Sequence, residues 1–139
     1  MTEFKFFHPI EVRYGDLDPQ GHVNNAKHLT FFEQARIAYM IELGLFTKDQ
    51  SFMEIGVILA DVHITYHAPI YFGEHIKAGV HISKLGTKSM TWEQNIVDAK
   101  TGKVLAKGEV IMVTYDYREE KTVNIPHEWR EKIKAFEGI

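Results

Sequence analysis

The chain has 139 residues, enough to bury one core and too few for two ordinary domains. Its composition, 45% hydrophobic and 25% charged, is that of a globular protein, and a formal net charge of −3 argues against a general nucleic-acid binder, which needs an excess of Lys and Arg on one face. Without cysteine there is no disulfide, thiolate metal site or cysteine nucleophile, and without an apolar run of about 18 residues or a signal-like start the expectation is a cytoplasmic protein with no membrane span.

The opening "FKFFHPIEVRY" alternates Ile10, Val12 and Tyr14 against Glu11 and Arg13, which predicts a strand. Next comes "DLDPQGHVNN", residues 16–25, a turn dense in acids, amides, Pro and Gly. The following "NAKHLTFFEQARIAYMIELGL" predicts one helix over about Asn25 to Leu43, with Asn24 as its cap and Gly44 as its left-handed end. Leu29, Phe32, Ala35, Tyr39 and Leu43 make one stripe, and Phe31, Ile37, Ala38 and Ile41 spread around the rest. Such a helix must be wrapped on several sides or covered by a partner.

The segment "FTKDQSFMEIG" is expected to be a loop whose Phe52, Met53 and Ile55 line a pocket. From residue 57 the period changes to two in four runs, "VILADVHITYHAPI", "EHIKAGVHISKL", "SMTWEQNIVDA" and "KVLAKGEVIMVTYDY", broken by Pro69, Gly73, Leu85-Gly86 and Thr101-Gly102. Val62, Ile64 and Tyr66 oppose Asp61, His63, Thr65 and His67, and Ile76, Ala78, Val80 and Ile82 oppose His75, Lys77 and His81. That predicts an antiparallel sheet with one core face. A short helix follows Pro126. The expected class is α+β, about five antiparallel strands curled around one long central helix, with residues 1–139 as a single domain.

Asp18 precedes the first turn of the long helix, so its carboxylate lies close to unpaired backbone N–H groups. Such N–H groups can also hold the oxyanion that develops on an attacked carbonyl, and a carboxylate beside them suits acyl transfer. "RYGDLDPQGHVNNAKHLTFFEQAR", with "ITYHAPIYFGE" and "GEVIMVTYD", resembles the hotdog-fold acyl-CoA thioesterases related to 4-hydroxybenzoyl-CoA thioesterase. The "GHVNN" variant is similar to medium- and long-chain acyl-CoA and plant acyl-ACP thioesterases.

The resemblance implies that Asp18 is the catalytic base or nucleophile and that the backbone N–H at Asn25 holds the thioester oxygen. Subgroups with an aromatic residue in place of Asn24 or Asn25 take aromatic acyl groups, so two asparagines imply an aliphatic one. The resemblance also implies that Lys84, Lys88 and Ser89 meet the phosphates of coenzyme A, against the simpler reading of solvated turn residues. His22 is either a loop-fixing polar contact or a second acid–base group. Glu33 either assists the reaction, as a helix glutamate does in some related enzymes, or pairs with Arg36 one turn on; the pairing is favoured. His63 and His67 share a strand face roughly 13 Å apart, too far to hold one ion together, so no metal is expected.

The expected activity is hydrolysis of an acyl-CoA or acyl-ACP thioester with no cofactor beyond the coenzyme A of the substrate. A hotdog enoyl-CoA hydratase and a non-catalytic acyl-CoA-binding protein are the alternatives. The open strand edges and polar sheet face predict a homodimer, or a tetramer of such dimers, with sites at the subunit boundary.

Overall fold

The computed structural model describes residues 3–51 and 53–139. In chain order its elements are β1 (Phe6–Glu11), a 3-10 turn (Tyr14–Asp16), α1 (Asn25–Glu42), β2 (Ile55–Tyr66), β3 (His75–Leu85), β4 (Ser89–Asp98), β5 (Val104–Asp116), the short β6 (Lys121–Thr122) and α2 (His127–Glu137). The strands make one antiparallel sheet in the order β1-β3-β4-β5-β2, with β6 paired to the end of β5. Among the described residues, five longer strands and a two-residue sixth form one sheet packed against a long helix, which is the hotdog arrangement.

Alternation explains the core. On β3, Ile76, Ala78, Val80 and Ile82 are buried, and on β4, Met90, Trp92 and Ile96 join them. Against this face α1 buries Phe31, Phe32, Ala35, Tyr39 and Met40. Gly108 on β5 faces the Phe32 ring of α1: a Cβ there would run into that ring and would lie 3.2 Å from the His63 carbonyl. The missing side chain lets α1 seat on the sheet.

Three local expectations change. The first strand stops at Glu11 rather than Tyr14, because the chain turns there: Arg13 N–H donates to Asp16 Oδ2 at 2.8 Å, Asp16 is buried, and Tyr14 stands 82% exposed. Leu29 and Ile37 of α1 are exposed, since the sheet covers the helix from one side only. On β2, Val62 and Ile64 are half-buried and Tyr66 is exposed, because β2 is an edge strand with a bulge between Leu59 and Asp61. Ile58 and Leu59 (48%) are exposed on this same edge.

The C-terminal helix is clasped to the core by a buried carboxylate. Glu137 accepts from the Tyr39 hydroxyl at 2.8 Å and from Ile82 N–H at 3.0 Å, and His81 Nδ1 lies 2.9 Å from its other oxygen. Among the described residues no helix is long and apolar enough to cross a membrane.

Candidate active site

The turn between β1 and α1 folds as a tight loop held by its own backbone. Asp18 N–H donates to His22 O, and Gly21 N–H to Asp18 O, both at 2.9 Å; Gly21 makes this closure at φ +87, where a side chain would be strained. Short bridges join Leu17 to Val23 and His22 to Tyr71, and Val23 N–H donates to Ile70 O at 2.8 Å. These contacts tie the loop to the segment leaving β2. Gly21 therefore shapes the loop that carries Asp18.

That carboxylate is 12% exposed. Its Oδ1 accepts Gln20 N–H at 2.9 Å, an Asx turn, and His22 Nδ1 lies 3.5 Å from Oδ2. The Gln20 side chain faces the same carboxylate and, in the orientation that satisfies both groups, donates to Oδ2 at 3.0 Å. His22 Nδ1 also sits 3.4 Å from Val23 O, so this ring is shared between a loop contact and the acid.

Immediately after the loop, Asn24 caps α1: its Oδ1 accepts Ala26 N–H at 2.9 Å. Asn25 is the first helical residue, and its N–H is among those that a helix start leaves without an intrahelical acceptor. Asp18, Gln20, His22, Asn25, His28 and Tyr66 line one open pocket of about 720 Å³ together with His67, Ala68, Pro69 and Tyr71.

Gln20, His28 and Tyr66 among these lining residues stand outside the sequence-derived site. His28 is 3% exposed, its Nδ1 lies 3.2 Å from Asn24 O, and its Nε2 is buried without a partner. Burial holds the His28 pKa below the ordinary histidine value, helped by His22 and opposed by contacts with the carbonyls of Asn24 and Asn25. Tyr66 sets its ring edge-on to His28 at 4.8 Å and donates its hydroxyl to Asn25 O at 2.8 Å. The spacing of Asn24 and His28, four apart on a helix, was a usable signal; the arrival of Tyr66 from β2 was not.

Other expected site residues lie elsewhere. Met53 and Ile55 border a separate pocket of about 400 Å³ with Leu45, Asp116 and Trp129, and Phe52 lies outside the described residues. An apolar cleft of about 400 Å³ opens beside them between Ile37, Phe46, Gly56, Val57 and Tyr117, roughly 18 Å along α1 from Asn25 by the helical rise. Lys84, Lys88 and Ser89 sit around the β3–β4 turn, where Lys88 Nζ reaches Thr122 Oγ1 at 3.4 Å. Ser89 pairs with Val113, so this turn is roughly 23 Å from Ala106, the β5 partner of Tyr66, by the rise along the strand. Within one chain, then, the lysines and the Met53 loop lie at the opposite end of the sheet from Asp18.

Glu33 is exposed, and the expected direct pairing with Arg36 is replaced by a different contact: Arg36 is buried and donates to Gln94 Oε1 at 2.9 Å, while Gln94 Nε2 donates to Phe32 O at 3.0 Å. Burial lowers the Arg36 pKa, and the charge of Glu33 opposes this at a distance. Among the described residues no three His, Asp or Glu side chains converge as a metal site.

One long helix packed against an antiparallel sheet is the hotdog fold, and the Asp18 carboxylate and the start of that helix line one pocket of it. The chain belongs to the thioesterase-like superfamily, whose family model matches residues 12–133. Over 132 residues it is 30% identical to the long-chain acyl-CoA thioesterase FadM of Escherichia coli K12, covering 91% of this chain and 96% of that one. Among solved structures it is similar to a thioesterase of Thermus thermophilus complexed with coenzyme A and zinc (TM-score 0.83, 31% identity, 100% and 99% covered). The PA5185 protein of Pseudomonas aeruginosa PAO1 superposes with a TM-score of 0.86 at 30% identity, with 95% and 91% covered.

Proposed function

We propose that this thioesterase hydrolyses aliphatic acyl-CoA thioesters to the free acid and coenzyme A, with Asp18 as the acid–base or nucleophilic group and Asn25 N–H as the oxyanion donor. The observation that carries the reading is the placement of the Asp18 carboxylate and the open start of α1 on one pocket. A thioester carbonyl oxygen drawn to Asn25 N–H is polarised by the helix start, which stabilises the charge that grows on it under attack. Asp18 then either takes a proton from the attacking water or attacks the carbonyl carbon itself and is released by water as the second step. In both routes the carbon–sulfur bond breaks, and the thiolate leaves with coenzyme A and takes up a proton. The scheme needs no cofactor of its own.

The same reading includes a homodimer joined along β2. That strand is a long edge with Ile58 and Leu59 exposed, and beside it Leu29, Val62, Glu33 and Arg36 border a groove of about 130 Å³ against α1. An unpaired apolar edge of this length is a template for pairing with a second copy. A two-fold pairing about the bulge at Leu59–Asp61 would set the Ile55 end of one copy against the Tyr66 end of the other. The apolar cleft beside Gly56 would then neighbour the Asp18 pocket of its partner, which would supply the acyl site that one chain lacks.

Thiol release measured over saturated acyl-CoAs of increasing length tests the reading beside Asp18→Asn. Loss of kcat by ~100-fold or more, the scale of losing a catalytic acid–base group, is expected for the variant. An unchanged rate would remove Asp18 from the mechanism, and consumption of an enoyl-CoA with the thioester intact would turn the assignment to a hydratase.

A further inference from the structure

We infer that His28 is a positioning residue of the oxyanion site, acting through the Asn24 carbonyl on the one peptide group that also carries Asn25 N–H. The inference rests on the reading of Asn25 N–H as the oxyanion donor and deepens it. Asn24 C=O and Asn25 N–H belong to a single planar unit, and in a trans peptide the two point in opposite directions. Whatever holds the oxygen therefore aims the N–H. Lys27 N–H donates to Asn24 O at 2.9 Å, and the His28 ring adds a second hold, with Nδ1 at 3.2 Å.

A carbonyl oxygen can only accept, so Nδ1 carries the proton and the neutral ring leaves Nε2 bare. The structure agrees with that tautomer: Nε2 is buried without a hydrogen-bond partner, so a proton there would find no acceptor, and the Tyr66 ring packs against His28 at 4.8 Å. Donation to the peptide oxygen polarises the whole amide and makes its N–H a better donor, the ordinary cooperativity of hydrogen-bond chains. Tyr66 holds the next peptide in the same manner, through Asn25 O at 2.8 Å, and Asn24 Oδ1 takes Ala26 N–H at 2.9 Å. Ala26 N–H is thereby occupied by the cap, while Asn25, the residue before it, lines the pocket. His28 and Tyr66 come from different elements, so the first turn of α1 is held both from within the helix and from β2.

Nitrogen NMR of the wild-type protein reads the tautomer directly: His28 protonated at Nδ1 and bare at Nε2 is expected, and the opposite tautomer would overturn the inference. Steady-state kinetics with octanoyl-CoA supplies the functional arm. His28→Phe has no donor, and the amide of His28→Gln reaches the Nε2 position, so both should lose roughly five- to tenfold in kcat with KM nearly unchanged, the factor expected for one neutral hydrogen bond felt in the transition state. His28→Asn carries an amide nitrogen where Nδ1 stands and should recover most of that loss. Equal losses in all three folded variants would mean that the ring only fills space, and no loss in any of them would mean that the hydrogen bond is idle; either result overturns the inference. A wild-type protein that releases no thiol from any acyl-CoA would sink the functional reading instead, and the tautomer would still be read without turnover.

Discussion

The hydroxyl of Tyr66, the last residue of β2, donates to the carbonyl oxygen of Asn25, the first residue of α1, at 2.8 Å. Residues 41 positions apart thus meet at the helix start, and the edge strand helps to set the direction of the first turn. Tyr66→Phe removes this bond and keeps the ring edge against His28. Because the side chain is exposed, the stability change should be small, on the order of 0.5–1 kcal/mol, while kcat falls several-fold. Thermal melting compared with kcat on the same preparation checks the split; a large loss of stability with unchanged kcat would contradict it.

Asn25 acts through its backbone in the proposed mechanism, and its side chain is exposed. Asn25→Ala keeps the N–H and is neutral to favourable within a helix. Its kcat should stay within about threefold of wild type, far from the ~100-fold loss expected for Asp18→Asn. Similar losses in the two variants, measured by thiol release, would show that the amide side chain does chemistry.

His28 gives stability a dependence on pH with a definite sign. Burial lowers its pKa in the folded protein below the ordinary value of 6.5, so the unfolded chain binds the proton more readily. Its contribution is fully present above pH 6.5 and is lost as pH falls through the lowered folded value. Urea unfolding at a series of pH values from neutral downward should therefore show stability falling on acidification, and His28→Asn should flatten that fall. A steeper acid dependence in the variant would reverse the assignment.

The β2 edge predicts assembly. Leu59→Glu places a carboxylate on the exposed apolar strand in the middle of the proposed pairing, where two copies would bring two like charges together. Sedimentation should show a dimer for the wild-type protein and monomers for the variant, with activity lost alongside. A wild-type monomer that turns over acyl-CoA would remove the shared-site part of the proposal.

Much of the fold was legible because the apolar patterning is strong. The period-two runs of β3, β4 and β5 carry their own register, since a slip of one residue would turn Ile76, Ala78, Val80 and Ile82 to solvent. The cap at Asn24 and the left-handed stop at Gly44 were legible because each rests on a local preference of one residue type. The edge position of β2 was not, because its alternation looks like that of a central strand and only the pairing order decides which strand is left outermost.

The sequence by itself determined which residues crowd the turn from Asp16 to Asn25 and that a helix starts there, since turn chemistry and capping act over a few neighbouring residues. Only the tertiary structure decided what shares that pocket. Tyr66 arrives through the pairing of β2 with β5, and His28 is sealed beneath it, while Met53, Ile55, Lys84, Lys88 and Ser89 are carried to the other end of the sheet. Those are distances set by strand order and register between segments far apart in the chain, and no local preference encodes them.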